Sequence, residues 1–184
     1  SNNSVKKVLK VLRENKIIHD YYYVKVNKKI PVLAGLGGGT SNAAALLKYF
    51  TNKILNKKTL SKITKEVGSD LRLFFYNQGY QKDLNSVIKL NKKHTFHFLL
   101  VFPKIKSSTK SVYSKVKNYS KLKKPVKQIS ASRNNLIDLL INSKNDLQSI
   151  VENKHKILRK LLLNMSEFKG CYFSRMTGSG SACY

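Results

Sequence analysis

Gly35, Gly37, Gly38 and Gly39 fall within five positions and run straight into Thr40-Ser41-Asn42-Ala43-Ala44-Ala45. Residues without a Cβ let successive backbone N–H groups turn inward, and the alanines behind them start a helix readily. The first turn of a helix has N–H groups without acceptors and carries about half a positive charge, so an anionic oxygen is favoured there. Phosphate is therefore the ligand chemistry of this loop, with the Thr40 and Ser41 hydroxyls available to cap the helix or to touch a phosphate or Mg²⁺. A Walker A loop needs a lysine where Gly39 stands, and a dinucleotide fingerprint needs a G-x-G-x-x-G spacing that is absent. A glycine turn that only caps a helix would use the same residues, and the loop by itself leaves that reading open.

Two further segments carry chemistry. In Val67-Gly68-Ser69-Asp70-Leu71 the carboxylate of Asp70 stands at the mouth of an apolar run from Leu71 to Tyr76, where partial desolvation would suit a general base or a group that orients a hydroxyl. A solvated loop aspartate is the alternative, in a chain with only nine acidic residues. Near the far end, Met176-Thr177-Gly178-Ser179-Gly180-Ser181 is a second turn of glycines and hydroxyls, following the strand-like Cys171-Tyr172-Phe173.

In this order the segments resemble the GHMP kinase superfamily, with its P-x-x-x-G-L-G-S-S-A-A loop and a glycine-rich turn near the C-terminus. The third consecutive glycine, the continuation through Ala45, the Gly68-Ser69-Asp70 segment and the Met176 to Ser181 turn are similar to one branch of it. That branch uses ATP to phosphorylate the 2-hydroxyl of a CDP-linked methylerythritol in the non-mevalonate isoprenoid route. The resemblance implies that Gly35, Leu36, Gly37, Gly38, Gly39, Thr40 and Ser41 hold the ATP phosphates with Mg²⁺, and that Asp70 is the catalytic carboxylate. It also implies that Thr109, Tyr113, Gly178, Ser179 and Gly180 lie on the substrate side. Tyr113 would stack on the cytosine ring, although Ser111, Val112, Tyr113 and Val116 could equally form an amphipathic helix face with Tyr113 in the core. The implied fold is α+β with two domains, an incomplete nucleotide-binding α/β domain over 1–90 and a ferredoxin-like domain over 91–184.

The chain also departs from the family. Arg72 stands where the family has a proline after its aspartate, freeing the backbone there. The family's opening Ala-Lys-Ile-Asn-Leu strand, whose lysine faces the aspartate, and its Gly-Tyr-His segment for the cytidine are absent from the sequence. The expectation is a piece of the kinase, cut at both ends and inactive by itself unless another basic group, such as Arg72, serves in the lysine's place. Homoserine or mevalonate kinases are the alternatives within the superfamily.

The formal net charge of +27 raises nucleic acid as a partner. Against that, the lysines are scattered over nearly every segment, and Arg13, Arg72, Arg133, Arg159 and Arg175 are the only arginines. Richness in Lys, Asn, Ile and Tyr fits A/T-rich coding, so no specific nucleic acid is expected. The densest basic run, Lys121 to Lys127, reads as a solvated connector. No apolar stretch approaches the ~20 residues that span a bilayer. Cys171 and Cys183 lack metal-ligand spacing, and the four histidines have no carboxylate cluster beside them, so no protein metal site is expected and the location is read as cytoplasmic.

The elements that must position these residues follow from periodicity. Helices are predicted over 5–12, 40–53, 59–67, 109–117, 134–140 and 147–163, and strands over 22–26, 86–90, 96–101 and 171–176. Gly68 ends the third helix, and the Asp70 turn leads into an apolar segment to Tyr76.

Overall fold

The structure, a computed structural model, describes residues 3–51, 55–90, 92–120 and 132–184. The Lys121 to Lys127 run and the end of the helix expected to reach Lys53 lie outside them. The chain forms two compact units, one of Ser1–Lys29 with Gly37–Lys93, the other of Ile30–Leu36 with His94–Tyr184.

The first unit is built on three helices, α1 (Ser4–Glu14), α2 (Gly38–Thr51) and α3 (Lys57–Val67). Each sequence carries its own start signal. The Asn3 side chain accepts the Val5 amide before α1, and the Asn56 side chain accepts the Thr59 amide before α3, which supplies two orphan helix donors with partners. The apolar residues of α1 recur at helical spacing, so Val8, Val11 and Leu12 are fully buried together with Ala43, Leu47 and Ile63. Gly68, at φ 152°, ends α3 and begins a 3-10 helix, Ser69–Phe75, where a plain apolar segment was expected. Its Leu71 is fully buried in the same core. An antiparallel hairpin follows, β1 (Gly79–Asp83) and β2 (Ser86–Lys89), in the register Gly79 to Lys89 and Tyr80 to Ile88.

The second unit contains α4 (Thr109–Tyr113), α5 (Arg133–Asn142), α6 (Gln148–Lys154) and α7 (Lys156–Ser166). Its core gathers Val112, Leu147, Val151, Leu158, Leu162, Met165, Met176 and Cys183. The helix expected over 147–163 is two helices, because His155 leaves helical geometry at φ −131°, ψ 84°. The helix expected over 109–117 stops at Tyr113. The strands expected over 96–101 and 171–176 are reduced to single bridges, Val101 and Met176 each pairing antiparallel with Cys183. The strand expected over 22–26 has no partner among the described residues, and Tyr21 and Tyr23 are exposed. Alternating apolar residues suit a strand, but a ladder also needs a second backbone in register.

Two outcomes test this packing. Leu71→Ala removes a fully buried side chain and should lower the unfolding free energy by about 2–5 kcal/mol, read as a fall in the urea midpoint at unchanged slope. Burial, with a smaller contribution from the Glu152 charge, pushes the Cys183 thiol up to about 11. Iodoacetamide at pH 8 should therefore modify exposed Cys171 and spare Cys183 until the chain unfolds, by peptide mass mapping. With the folded value raised above the ordinary 9.0, this thiol's contribution to stability is complete below pH 9 and declines as the pH rises towards 11.

Candidate active site

The residues singled out in the sequence divide between the units, and each set has its own local logic. In the first unit α2 begins at Gly38, two residues before its expected start, so Gly38 and Gly39 belong to the helix itself. The Ser41 amide donates to the Gly37 carbonyl at 2.8 Å and closes the first turn. The amides of Gly38, Gly39 and Thr40 then have no acceptor within the helix, which makes this end electropositive. Gly37 has φ +64°, and a Cβ added there would come within 2.9 Å of the Phe74 ring. Phe74 belongs to the 3-10 helix that carries Asp70, and a Cβ on Gly68 would lie 3.5 Å from the Thr40 hydroxyl oxygen. The Asp70 turn and the start of α2 are thus packed together in one unit.

Asp70 is exposed, and its Oδ1 accepts a hydrogen bond from the Ser69 hydroxyl at 3.0 Å. The expected partial desolvation of this carboxylate is not found. Within the 3-10 helix Leu71 turns into the core while its neighbour Asp70 turns out to solvent. Arg72, two residues on, donates from Nη2 to the Ser61 hydroxyl at 3.2 Å.

In the second unit the Met176 to Ser181 turn is held from all sides. Asn145 Nδ2 donates to the carbonyls of Met176 and Gly178, both at 2.8 Å, while the Ser107 hydroxyl donates to the Ser179 carbonyl at 2.8 Å and the Gly180 amide to the Thr177 carbonyl at 2.8 Å. Each carbonyl from Met176 to Ser179 is therefore occupied by a donor of the chain itself. The Thr109 and Ser179 hydroxyls lie 2.9 Å apart, so these two predicted substrate residues do meet. Gly35 packs against the same turn: a Cβ there would fall 2.4 Å from the Thr177 carbonyl oxygen, and one on Gly178 would fall 3.0 Å from the Gly35 carbonyl oxygen. Leu36 is half-buried, as are Gly35 and Gly37. Tyr113 is 50% exposed and Val112 is buried, which rules out Tyr113 as a core residue. Asn145 and Ser107 are the holding residues that the sequence reading left out of the site. Asn145-Asp146-Leu147 could be noticed as a pattern, but its bonds span 31 and 33 positions and leave no local signature.

Asp146 accepts the Ser120 amide and hydroxyl, and these bonds, with Lys144 nearby, hold its carboxyl below the usual range. Among the described residues no three His, Cys, Asp or Glu side chains converge in a way that could hold a metal ion.

The model of the GHMP kinases N terminal domain matches residues 3–77. A crystal structure of a 4-(cytidine 5'-diphospho)-2C-methyl-D-erythritol kinase superposes with a TM-score of 0.60 at 22% identity, covering all of this chain and 68% of that one, so the fold is that of a GHMP kinase. Relatives named 4-diphosphocytidyl-2-C-methyl-D-erythritol kinase are 34% identical over 98% of this chain in Pelagibacter ubique (strain HTCC1062) and 33% over all of it in Prochlorococcus marinus (strain MIT 9215). A third, from Ehrlichia canis (strain Jake), is 31% identical, and this chain covers 67% of its length. The chain belongs to the 4-diphosphocytidyl-2-C-methyl-D-erythritol kinases of the GHMP kinase family. It spans 65% of the length of the first two relatives.

The close approach at Gly35 has a measurable counterpart. Gly170 also has positive φ, at +86°, but a Cβ there meets nothing within 4 Å. Gly170→Ala should cost about 1 kcal/mol of stability from backbone strain alone, and Gly35→Ala at least about 2 kcal/mol more, because the Thr177 carbonyl must also move. Parallel urea titrations of the two variants compare them, and equal losses would contradict the contact.

Proposed function

We propose that the protein to which this chain belongs transfers the γ-phosphoryl group of ATP to the 2-hydroxyl of 4-diphosphocytidyl-2-C-methyl-D-erythritol. The observation that carries the reading is the packing of the Asp70 turn, through Gly68, beside Thr40, at a helix start whose first amides lack acceptors. The substrate is taken from the name of the relatives at 31–34% identity. Gly35 to Ser41 take the nucleotide phosphates, with the amides of Gly38, Gly39 and Thr40, which have no acceptor within the helix, on their oxygens. Thr109, Tyr113, Gly178, Ser179 and Gly180 take the substrate, with Tyr113 on the side of the cytosine ring.

In the reaction Asp70 accepts the proton of the 2-hydroxyl as the new O–P bond forms and the bond from the γ-phosphorus to the bridging oxygen breaks, releasing ADP. The α2 amides stabilise charge on the phosphate oxygens, and positioning supplies most of the rate. The donor chemistry suits Mg²⁺, which takes hard oxygens from one or two protein groups and completes its shell with phosphates and water. Thr40 and Ser41 are the residues that would hold it, and when bound it would neutralise phosphate charge. Residues 1–90 are read as the nucleotide domain and 91–184 as a ferredoxin-like domain, whereas the compact units place 30–36 with the second. The antiparallel run of Val101, Cys183 and Met176 beside the helices of the second unit supports the ferredoxin-like reading. Among the described residues no helix is long and apolar enough to cross a membrane, and two free thiols fit a cytoplasmic place.

A coupled ADP-release assay on the full-length protein, with the cytidyl substrate, homoserine and mevalonate in parallel, tests the assignment. Turnover with the first alone is expected, and preference for either of the others would overturn it. In the same protein Asp70→Asn should lower kcat by roughly 10²-fold or more while changing KM for ATP by less than about threefold. An unchanged kcat would remove Asp70 from proton transfer.

A further inference from the structure

A cavity of about 430 Å³ opens in the first unit, at the far end of the 3-10 helix from Asp70. It is open to solvent on one side, and its lining is divided between apolar residues, Leu55, Leu60, Phe75 and Val87, and polar ones that include Arg72, Asn85 and Ser86. The volume lies in the range of sites that enclose a small organic molecule.

The polar end is arranged as a set of donors. Arg72 Nη2 donates to the Ser61 hydroxyl at 3.2 Å, and that hydroxyl in turn donates to Asn85 Oδ1 at 3.3 Å. With its oxygen so occupied, Asn85 has its Nδ2 hydrogens left to offer. Arg72 Nε is buried and has no hydrogen-bond acceptor, and none of the ion pairs among the described residues involves Arg72. With no carboxylate paired to it among the described residues, the guanidinium gives the polar side of the cavity a positive charge that an anion would meet. Arg72, the candidate for the place of the family's lysine, here donates to Ser61, and Asp70 stands two positions before it on the same 3-10 helix.

We propose that this cavity binds a small amphipathic anion, with a carboxylate or phosphate group on Arg72 and Asn85 and an apolar body between Leu60, Phe75 and Val87. The site is separate from the α2 amides and stands whether or not the kinase reading does. Its ligand would grip the 3-10 helix that also carries Asp70, so occupancy would bear on that carboxylate.

The test uses hexyl phosphate and hexanoate as probes, titrated calorimetrically into the chain at about 0.15 M salt, where distant charges are screened. 1-Hexanol and inorganic phosphate are the controls for the two halves of the probe. One molecule of hexyl phosphate or hexanoate should bind per chain, about tenfold or more tighter than inorganic phosphate, with hexanol unbound; the tighter of the two identifies the head group. Arg72→Gln should weaken binding about tenfold, and Val87→Trp, which fills the cavity while keeping Arg72, should abolish it. Where Arg72→Gln fails to fold by circular dichroism, Asn85→Ala and Val87→Trp decide. Hexyl phosphate bound no better than inorganic phosphate, or equally by wild type and Val87→Trp, would mean diffuse attraction to a lysine-rich surface and would overturn the proposal.

Discussion

The carbonyl of Ala34 accepts two hydrogen bonds, from the Thr177 hydroxyl at 2.9 Å and from the Ala182 amide at 3.1 Å, and the adjacent Leu33 carbonyl accepts the Ser181 amide at 3.0 Å. These bonds fix the direction in which the chain enters the glycine segment, and the phosphate-loop reading depends on that direction. Ala34 is buried, so its carbonyl would be costly to leave unpaired, and a carbonyl with two lone pairs can satisfy both donors. The turn that supplies the donors is held in its own right by Asn145, Ser107 and Gln148, the last accepting the Met176 amide at 3.0 Å. Within the second unit, Leu33 and Ala34 are thus held by donors that lie far away in sequence.

Electrostatics contributes to this fold in an unusual way for so basic a chain. With nine acidic residues there are few carboxylates to pair, and the ion pairs seen, such as Lys62 with Glu14 at 2.8 Å, are largely solvent-exposed. Such pairs add little to stability. Some lysines find other acceptors. Lys7 Nζ donates to the Glu66 carbonyl at 2.7 Å near the end of α3, and Lys48 Nζ donates to the Phe74 carbonyl at 2.6 Å near the end of the 3-10 helix. Positive charge at a helix C-terminus meets the negative end of the dipole and satisfies carbonyls that have no partner of their own.

What could be read in the sequence was what local chemistry decides. The spacing of Val8, Val11 and Leu12 declares α1, the alanines declare α2, and Gly68 ends α3, because each depends on neighbours within a turn or two. The glycine-rich turns were legible for the same reason, since Gly35, Gly37, Gly178 and Gly180 all take positive φ. The strands were misjudged wherever pairing had to come from a distant segment, as at Tyr22 to Val26 and Phe96 to Val101. The β1 strand went unnoticed because Gly79-Tyr80-Gln81-Lys82-Asp83 has no apolar alternation, and its existence rests on pairing with β2. The exposure of Asp70 was hidden too: apolar residues after it suggested a buried setting, whereas the 3-10 geometry sends successive side chains about a third of a turn apart. Asn145 is the clearest limit: the stretch around it resembles the family's, but its hold on the Met176 to Ser181 turn is visible only through two carbonyls.

Gly35 and Gly178 meet main chain to main chain, so the usual way in which a protein accommodates a substitution is closed to them. When two side chains touch, enlargement of one can be matched by shrinkage of the other, and the pair can drift together through sequence space. Here the atom opposing a new Cβ is a carbonyl oxygen, of Thr177 in one direction and of Gly35 in the other, and every amino acid carries that oxygen. No second mutation can make it smaller. The two positions are therefore evolutionary dead ends, while neighbouring side-chain contacts, such as that of the Thr109 and Ser179 hydroxyls, are free to change in concert.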